Sequence, residues 1–454
     1  MQFYAILLKE RGIKNMGTAT FKGGIHTYEG KELTQDKQTK VLMPKGELVY
    51  PMSQHIGAPA KSIVAKGDYV LMGQKIGEAD GAISANVISA VSGTVKAVEP
   101  RLTSSGLMVE SVIIENDNLY KPIEGLGEKR DYAKLSKEQI RSIIKESGIV
   151  GLGGAAFPTQ VKLTPGDDSK IDTVIINAAE CEPYLTSDYR MMLEEPEKIM
   201  NGLKIILKLF PNAKGIIGIE DNKPEAIKKL TELVNGEDKI EIKALKTKYP
   251  QGGERQLVYA VTGRKLNSTI LPYQVGCVVN NVDTAIAIYM AVAESTPLMR
   301  RIVTVAGDAV KEPGNFNVKT GTNFREVLEA AGGLTEEPEK MISGGPMMGQ
   351  ALFSLDIPVS KTTSALLCFT KDYVADMEPS SCIRCGRCGY ACPAQIIPQK
   401  MYICSQNNDA EGFIKLDGME CCECGCCTYV CPAKLSLTQS FRQMKRSILE
   451  SRKK

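Results

Sequence analysis

The chain has 454 residues, enough for about three domains that each bury a core of their own. A net charge of +3 gives no case for nucleic-acid binding, and only two histidines, His26 and His55, argue against a histidine-rich metal site or a Ser-His hydrolase. Fourteen cysteines without export features point to a reducing compartment; Met1–Leu8 is too short for a signal-peptide core, and the most apolar helical stretch, Ala285–Ala293, is too short to span a bilayer.

In chain order, residues 1–20 are weakly amphipathic and read as a peripheral arm. Residues 21–130 have β texture, with strand-like pieces such as Ser62–Ala65 and Tyr69–Met72 between glycine turns. The run Val64-Ala-Lys-Gly-Asp-Tyr-Val-Leu-Met-Gly-Gln-Lys-Ile76, followed by Val91-Ser-Gly-Thr-Val-Lys96, resembles the flattened barrel (the barrel-sandwich hybrid) of lipoyl and biotinyl carriers. Those carriers expose a modified lysine at a hairpin tip, but residues 81–93 contain no lysine. The barrel is therefore expected to be a scaffold or docking surface.

Residues 131–297 alternate between helix and strand signals. Ser136-Lys-Glu-Gln139 is a capping box opening a helix whose Ile140, Ile143 and Ile144 share a face. Apolar strands are predicted at Thr173–Ile176 and Gly215–Ile219, and helices at Pro196–Leu209, Pro224–Val234 and Asn281–Ala293. This is Rossmann-like α/β texture, in which ligands bind at the carboxyl ends of strands. Residues 298–350 read as a small β-grasp module, with a strand from Arg301 and a helix over Phe324–Ala331, closed by the turn-rich Ser343-Gly-Gly-Pro-Met-Met-Gly349. Residues 351–434 hold a linker and a cysteine-rich domain. Residues 435–454 form a basic helix or tail, either a solvated face or a dock for an acidic partner or lipid headgroups.

The cysteine-rich domain carries the sharpest signal. Two runs, from Cys382 to Pro393 and from Cys421 to Pro432, each have the C-x2-C-x2-C-x3-C-P spacing that wraps a [4Fe–4S] cluster. In two-cluster ferredoxins the fourth cysteine of each run serves the other cluster. That rule assigns Cys382, Cys385, Cys388 and Cys431 to one cluster, and Cys421, Cys424, Cys427 and Cys392 to the other. Gly386 and Gly425 let backbone N–H groups approach the sulfurs, and Cys422 and Cys426 lie out of register as bystanders. A disulfide framework belongs to small secreted domains, and structural zinc needs only four ligands, so two complete runs exceed either requirement.

Four further motifs are richer in glycine and polar groups than a core requires. Gly151-Leu-Gly-Gly-Ala-Ala-Phe-Pro-Thr-Gln-Val-Lys162 suits a phosphate, although it follows a helix where a dinucleotide fingerprint would follow a strand. Asn177-Ala-Ala-Glu-Cys-Glu-Pro183 follows a predicted strand. Tyr249-Pro-Gln-Gly-Gly-Glu-Arg255 and Val278-Val-Asn-Asn-Val-Asp-Thr284 complete the set. Each alone also reads as turn glycines, strand-end carboxylates or a helix cap at Asn281.

In this order the four motifs resemble the flavin- and NADH-binding 51-kDa subunit of respiratory complex I. With the barrel before them and the cysteine runs behind, residues 20–435 resemble the C-subunit family of Rnf electron-transport complexes. The resemblance implies FMN held non-covalently by Gly151, Gly153, Gly154 and Lys162, with Asn177, Asn280, Asn281 and Thr284 as flavin contacts and Gly252 in the adjoining loop. It further implies Phe157 stacking on the dinucleotide, Glu182 on the dinucleotide side, and Glu254 beside the flavin, these two carboxylates being the candidate reaction-site residues. The β-grasp module corresponds to the SLBB domain, and the cysteine runs to a ferredoxin-like helical domain with two [4Fe–4S] clusters.

Three positions depart from the complex I pattern. Ala156 replaces a glycine, so the loop is expected to avoid positive φ there. Ala179 replaces an acid, and Gly253 replaces one of two glutamates. The activity implied is exchange between NAD(H) and one-electron clusters through FMN, in a peripheral subunit on the cytoplasmic side of the membrane. Ferredoxin oxidation and Na+ or H+ translocation would rest with partner subunits, which also provide the only membrane attachment. Two alternatives remain: a cobalamin reductase of propanediol-type microcompartments with the same domain order, and an electron-wire module with an empty nucleotide pocket.

Overall fold

A computed structural model describes residues 18–452. Its α/β unit is a four-stranded sheet in the order Ile240–Leu245, Lys214–Glu220, Thr173–Ala178, Cys277–Asn281. Every pairing in it is parallel. Strand side chains alternate between faces, and the two faces bury different partners. Val174 and Ile176 pack with Ile199, Leu203 and Ile206 of helix Pro196–Leu209 and with Val282 and Ile286 of helix Val282–Ala293. Ile175 packs on the opposite side with Leu257, Val258 and Val261 of helix Glu254–Thr262. Coverage on both faces makes the central strand almost wholly apolar, as a parallel sheet requires.

The barrel pairs Glu47–Pro51, Met108–Asn116, Gly93–Leu102 and Tyr69–Val70 in one antiparallel sheet. Ala60–Ser62, Lys75–Ala79 and Val87–Ile88 form the second, and Leu48, Tyr50, Ile76, Val95, Val112 and Ile114 fill the space between. The region corresponding to the carrier hairpin tip is docked on the α/β unit. The Asn86 amide donates to the Lys145 carbonyl at 3.3 Å, and Ala85 joins the α/β core. Lys361, buried and without a carboxylate partner among the described residues, donates to the Asn86 and Gly148 carbonyls and so ties three segments together.

The β-grasp sheet has six strands and draws one from each side of residues 298–350. Lys40–Leu42 pairs in parallel with Gly314–Lys319, and Ala365–Phe369 lies between Arg300–Ala306 and Lys340–Ser343. The segment between the amino-terminal arm and the barrel therefore runs along the later domains. Ala19 bridges to Leu245 and Ile25 to Tyr249, extending the exposed edge of the α/β sheet. Residues 1–17 of the expected arm lie outside the described residues.

The cysteine-rich domain is helical and closes around Met401, Phe413 and Phe441. The basic carboxyl-terminal helix, Leu437–Ser451, belongs to it, because Leu437, Phe441, Met444 and Ile448 make one buried face. Its Arg442 and Lys445 pair with Glu423 at 3.0 and 2.8 Å. Among the described residues no helix is long and apolar enough to cross a membrane.

Candidate functional site

All four glycine- and amide-bearing motifs meet at the carboxyl edge of the parallel sheet, where α/β folds bind ligands. Asn177 and Asn281 stand in register on adjacent strands. The glycine loop hangs on this edge: Leu152 N donates to Thr284 Oγ1 at 2.9 Å, and Gly151 N donates to the Phe157 carbonyl at 2.9 Å. Gly153 lies so close to Asn281 that a Cβ there would meet the amide nitrogen at 2.8 Å. Gly154 has nothing within 4 Å of that position and faces open space. Lys162 spans the floor, donating to the Val279 carbonyl at 2.9 Å and lying 3.7 Å from Glu254. Asn177 donates to the Gly252 carbonyl at 2.9 Å, and Gly252 N donates to Cys181 Sγ at 3.2 Å.

Asn281 is also the helix cap that its motif allows. Its Oδ1 accepts from Asp283 N at 2.8 Å, and its Nδ2 donates to Asp188 at 2.6 Å, leaving one N–H free. Asn280 is buried with its Nδ2 unpartnered, a cost that a bound ligand would relieve. Glu182 sits apart from Glu254, accepting from Met347 N at 3.1 Å with its other oxygen buried and unpartnered. Burial pushes the Glu182 carboxyl up to about 7, against the pull of the Met347 N–H. Ala156 contradicts the expected backbone. Its φ is 52°, so the loop keeps its left-handed turn and alanine accepts the strain.

Beneath the edge lies a buried charged network that includes Lys31, Glu180, Glu220 and Lys223. Lys223 pairs with Glu220 at 3.2 Å and donates to the Ala179 carbonyl at 2.7 Å. Lys31 donates to the Glu180 and Glu182 carbonyls at 2.9 and 3.1 Å, fixing the strand-end loop. Asp188 is pushed up to about 8 by burial and then by the charges of Glu180 and Asp283, with the Asn281 amide opposing. A carboxyl raised in the fold adds stability below its unfolded pKa and loses it as pH climbs through the folded value. Asp188→Asn is therefore expected to flatten the fall in stability between pH 5 and 8, by at most ~1.4 kcal/mol per pH unit. Thermal melts across that range check this, and parallel curves for both proteins would refute it.

The two cysteine runs pack into one small domain, a donor set compatible with iron–sulfur clusters. Cys392 lines one cavity with Cys421, Cys424 and Cys427, and Cys422 and Cys426 line it too. Cys388 and Cys431 belong to one core cluster, which Cys421 and Cys427 share. Among the described residues no group of three or more His, Cys, Asp or Glu side chains is gathered closely enough to hold a metal ion. Gly386 and Gly425 both have positive φ and open the short helices Arg387–Ala391 and Cys426–Tyr429. Bystander Cys426 is buried, its Sγ 3.9 Å from the Tyr249 carbonyl.

Comparison with known proteins follows the same division. The RnfC barrel sandwich hybrid domain family matches residues 19–119, the Nuo51 FMN-binding domain family residues 144–290, and the SLBB domain family residues 302–351. The C subunit of the Na(+)-translocating ferredoxin:NAD(+) oxidoreductase complex of Acetobacterium woodii is 44% identical over 97% of this chain and 99% of the relative. The chain belongs to the RnfC family. Its counterpart in the proton-translocating complex of Clostridium ljungdahlii is also 44% identical, over 86% of this chain and 85% of that protein. The RnfC counterpart from the ion-translocating oxidoreductase complex of Haemophilus influenzae strain PittEE is 38% identical over 96% of this chain and 67% of that protein. These relatives do not favour the cobalamin-reductase reading.

The structure adds residues that the motifs do not single out. Gln251 sits inside the Tyr249–Arg255 motif, is fully buried and leaves both amide atoms unpartnered, which marks it as a ligand-facing candidate beside Gly252. Tyr249 OH donates to the Cys424 carbonyl at 2.8 Å. Arg255 donates to the Glu420 carbonyl and carboxylate at 3.2 and 3.1 Å. Tyr249 and Arg255 bond across a separation of well over a hundred residues, so no local pattern announces them.

Proposed function

We propose that this RnfC-family chain is the peripheral NADH- and FMN-binding iron–sulfur subunit of an ion-translocating ferredoxin:NAD(+) oxidoreductase complex, on the cytoplasmic side of the membrane. FMN is held non-covalently at the carboxyl edge by the Gly151–Gly154 loop, Lys162 and the amides of Asn177, Asn280 and Asn281. NAD(H) is the substrate. Two [4Fe–4S] clusters occupy the crossed cysteine sets. When bound, the flavin supplies exchange between a two-electron donor and one-electron carriers, and the clusters supply the one-electron wire. Other subunits attach it to the membrane and move the ion.

The observation that carries this reading is the joint between the two sites. Tyr249, from the loop that also holds Gly252 and Glu254, is bonded to the Cys424 carbonyl, and Arg255 clamps Glu420 at the head of the second run. These bonds hold the second cysteine run against the Tyr249–Arg255 loop, which supports the reading. Within the pocket, Lys162 brings positive charge to the phosphate end and holds Glu254, while Asn177 pins Gly252 so that the loop presents its backbone to the ring system. These residues bind and orient, and the exchange needs no general acid or base from them.

The test is NADH bleaching of flavin absorbance on the isolated anaerobic chain, repeated with Glu254→Ala. The variant is expected to keep FMN and to bleach at least about tenfold more slowly, a loss of ~1.4 kcal/mol of positioning. Normal bleaching with full flavin content would remove Glu254 from the reacting pair.

A further inference from the structure

The two cysteine runs have opposite surroundings. The second run faces inward: Cys426 is buried, Glu423 is paired with Arg442 and Lys445, and the adjoining Glu420 and Cys424 are bonded to the flavin loop. The first run faces outward over Cys382–Tyr390, while its end, Ala391 and Cys392, is buried and Gly24 N donates to the Ala391 carbonyl at 2.9 Å. Cys382 and Cys385 are exposed, Ile383 between them is 68% exposed, and Tyr390 is 86% exposed. The Tyr390 ring comes within 3.8 Å of the Cβ position of Gly386, so it lies over the cysteine loop.

The charge around this loop is one-sided. Residues 379–408 contain Arg384, Arg387 and Lys400 and not one Asp or Glu. Ser380 N donates to the Ala433 carbonyl at 3.0 Å, which brings exposed Lys434 to the same border. None of these four cations has a carboxylate within ion-pairing distance among the described residues, whereas Arg442 and Lys445 of the same domain are neutralised by Glu423. A large exposed isoleucine and tyrosine ringed by unpaired cations is the composition of a recognition face: apolar anchors at the centre and a rim that selects opposite charge.

We propose that this face, centred on Ile383 and Tyr390 and rimmed by Arg384, Arg387 and Lys434, docks an acidic, electron-carrying protein subunit of the complex. The proposal rests on the functional reading above, since it gives the outward cysteine set its exchange partner. A protein fits better than an anionic lipid surface, because electrons reaching the outer set must leave to another redox centre, which a headgroup does not offer. The same logic divides the labour between the runs: the Cys424 side faces the flavin and the Cys385 side faces the partner.

The test is reconstitution. Membranes bearing the complex without this chain are titrated with the holo chain, and ferredoxin-dependent NAD+ reduction is followed at low and high salt. The Arg384→Glu/Arg387→Glu double variant, and separately Tyr390→Ser with Lys434→Glu, are compared with wild type after matching iron content. Both variants are expected to need about tenfold more chain for half-maximal activity at low salt. For the charge-reversed double variant the gap should narrow at high salt, and in both NADH bleaching of the free chain should be unchanged. Reconstitution that matches wild type overturns the proposal, as does an effect confined to binding of phosphatidylglycerol vesicles or to self-association. A wild-type chain that restores no NAD+ reduction would sink the functional reading as well.

Discussion

Cys431→Ser is expected to empty the outer site and spare the inner one. Cys431 comes from the second run, yet the crossed rule assigns it to the cluster of Cys382, Cys385 and Cys388, and Cys392 of the first run shares a cavity with Cys421, Cys424 and Cys427 that Cys422 and Cys426 also line. Iron should fall from about eight to about four atoms per chain. Flavin content and flavin bleaching by NADH should persist, and ferredoxin-linked turnover of the reconstituted complex should drop to background. Cys392→Ser should do the converse, losing the cluster that faces Tyr249. EPR of the two reduced variants separates these outcomes. If Cys431→Ser loses the inner cluster signal, the crossed arrangement is wrong.

The second large effect separates two neighbouring glycines. Gly153→Val drives a side chain into Asn281, whose amide caps helix Val282–Ala293 and holds Asp188. Overpacking of this kind costs about 1–3 kcal/mol, so the apoprotein should melt earlier and bind FMN roughly ten- to a hundredfold more weakly. A Cβ at Gly154 meets nothing within 4 Å, so Gly154→Val should leave apoprotein stability within about 0.5 kcal/mol of wild type. If the proposed FMN phosphate approaches from its open side, FMN affinity should still fall. Melts of apoprotein together with flavin-binding titrations distinguish the pair. Undiminished FMN affinity in Gly154→Val would move the phosphate away from this loop.

Much of this is legible in the residues. Helix Pro196–Leu209 is readable to the residue, because a proline at its first turn and a regular apolar stripe mark it locally. The capping box at Ser136 forms as its spacing implies, and the two cysteine runs fall in one small domain. Strand Ile240–Leu245 is hidden because it lies on a sheet edge, where Glu241 and Lys243 break the apolar run. The strands Lys40–Leu42 and Ala365–Phe369 are hidden too, since their β-grasp partners are remote in sequence. Ala156 misleads for a different reason. A left-handed φ favours glycine without demanding it, and a loop fixed at both ends can hold alanine there. The burial of Lys31 and Gln251 depends on domains closing over them, which no short motif encodes.

The most direct measurement counts electrons. The anaerobic holo chain is reduced with dithionite to completion and then given NAD+, while NADH formation and iron–sulfur absorbance are followed together. A flavin that takes two electrons and two clusters that take one each should consume about four electrons per chain, and NADH should appear in step with reoxidation of the iron–sulfur absorbance. Uptake of only two electrons, or NADH formed while the iron–sulfur absorbance stays bleached, would contradict a single chain that joins the two kinds of site.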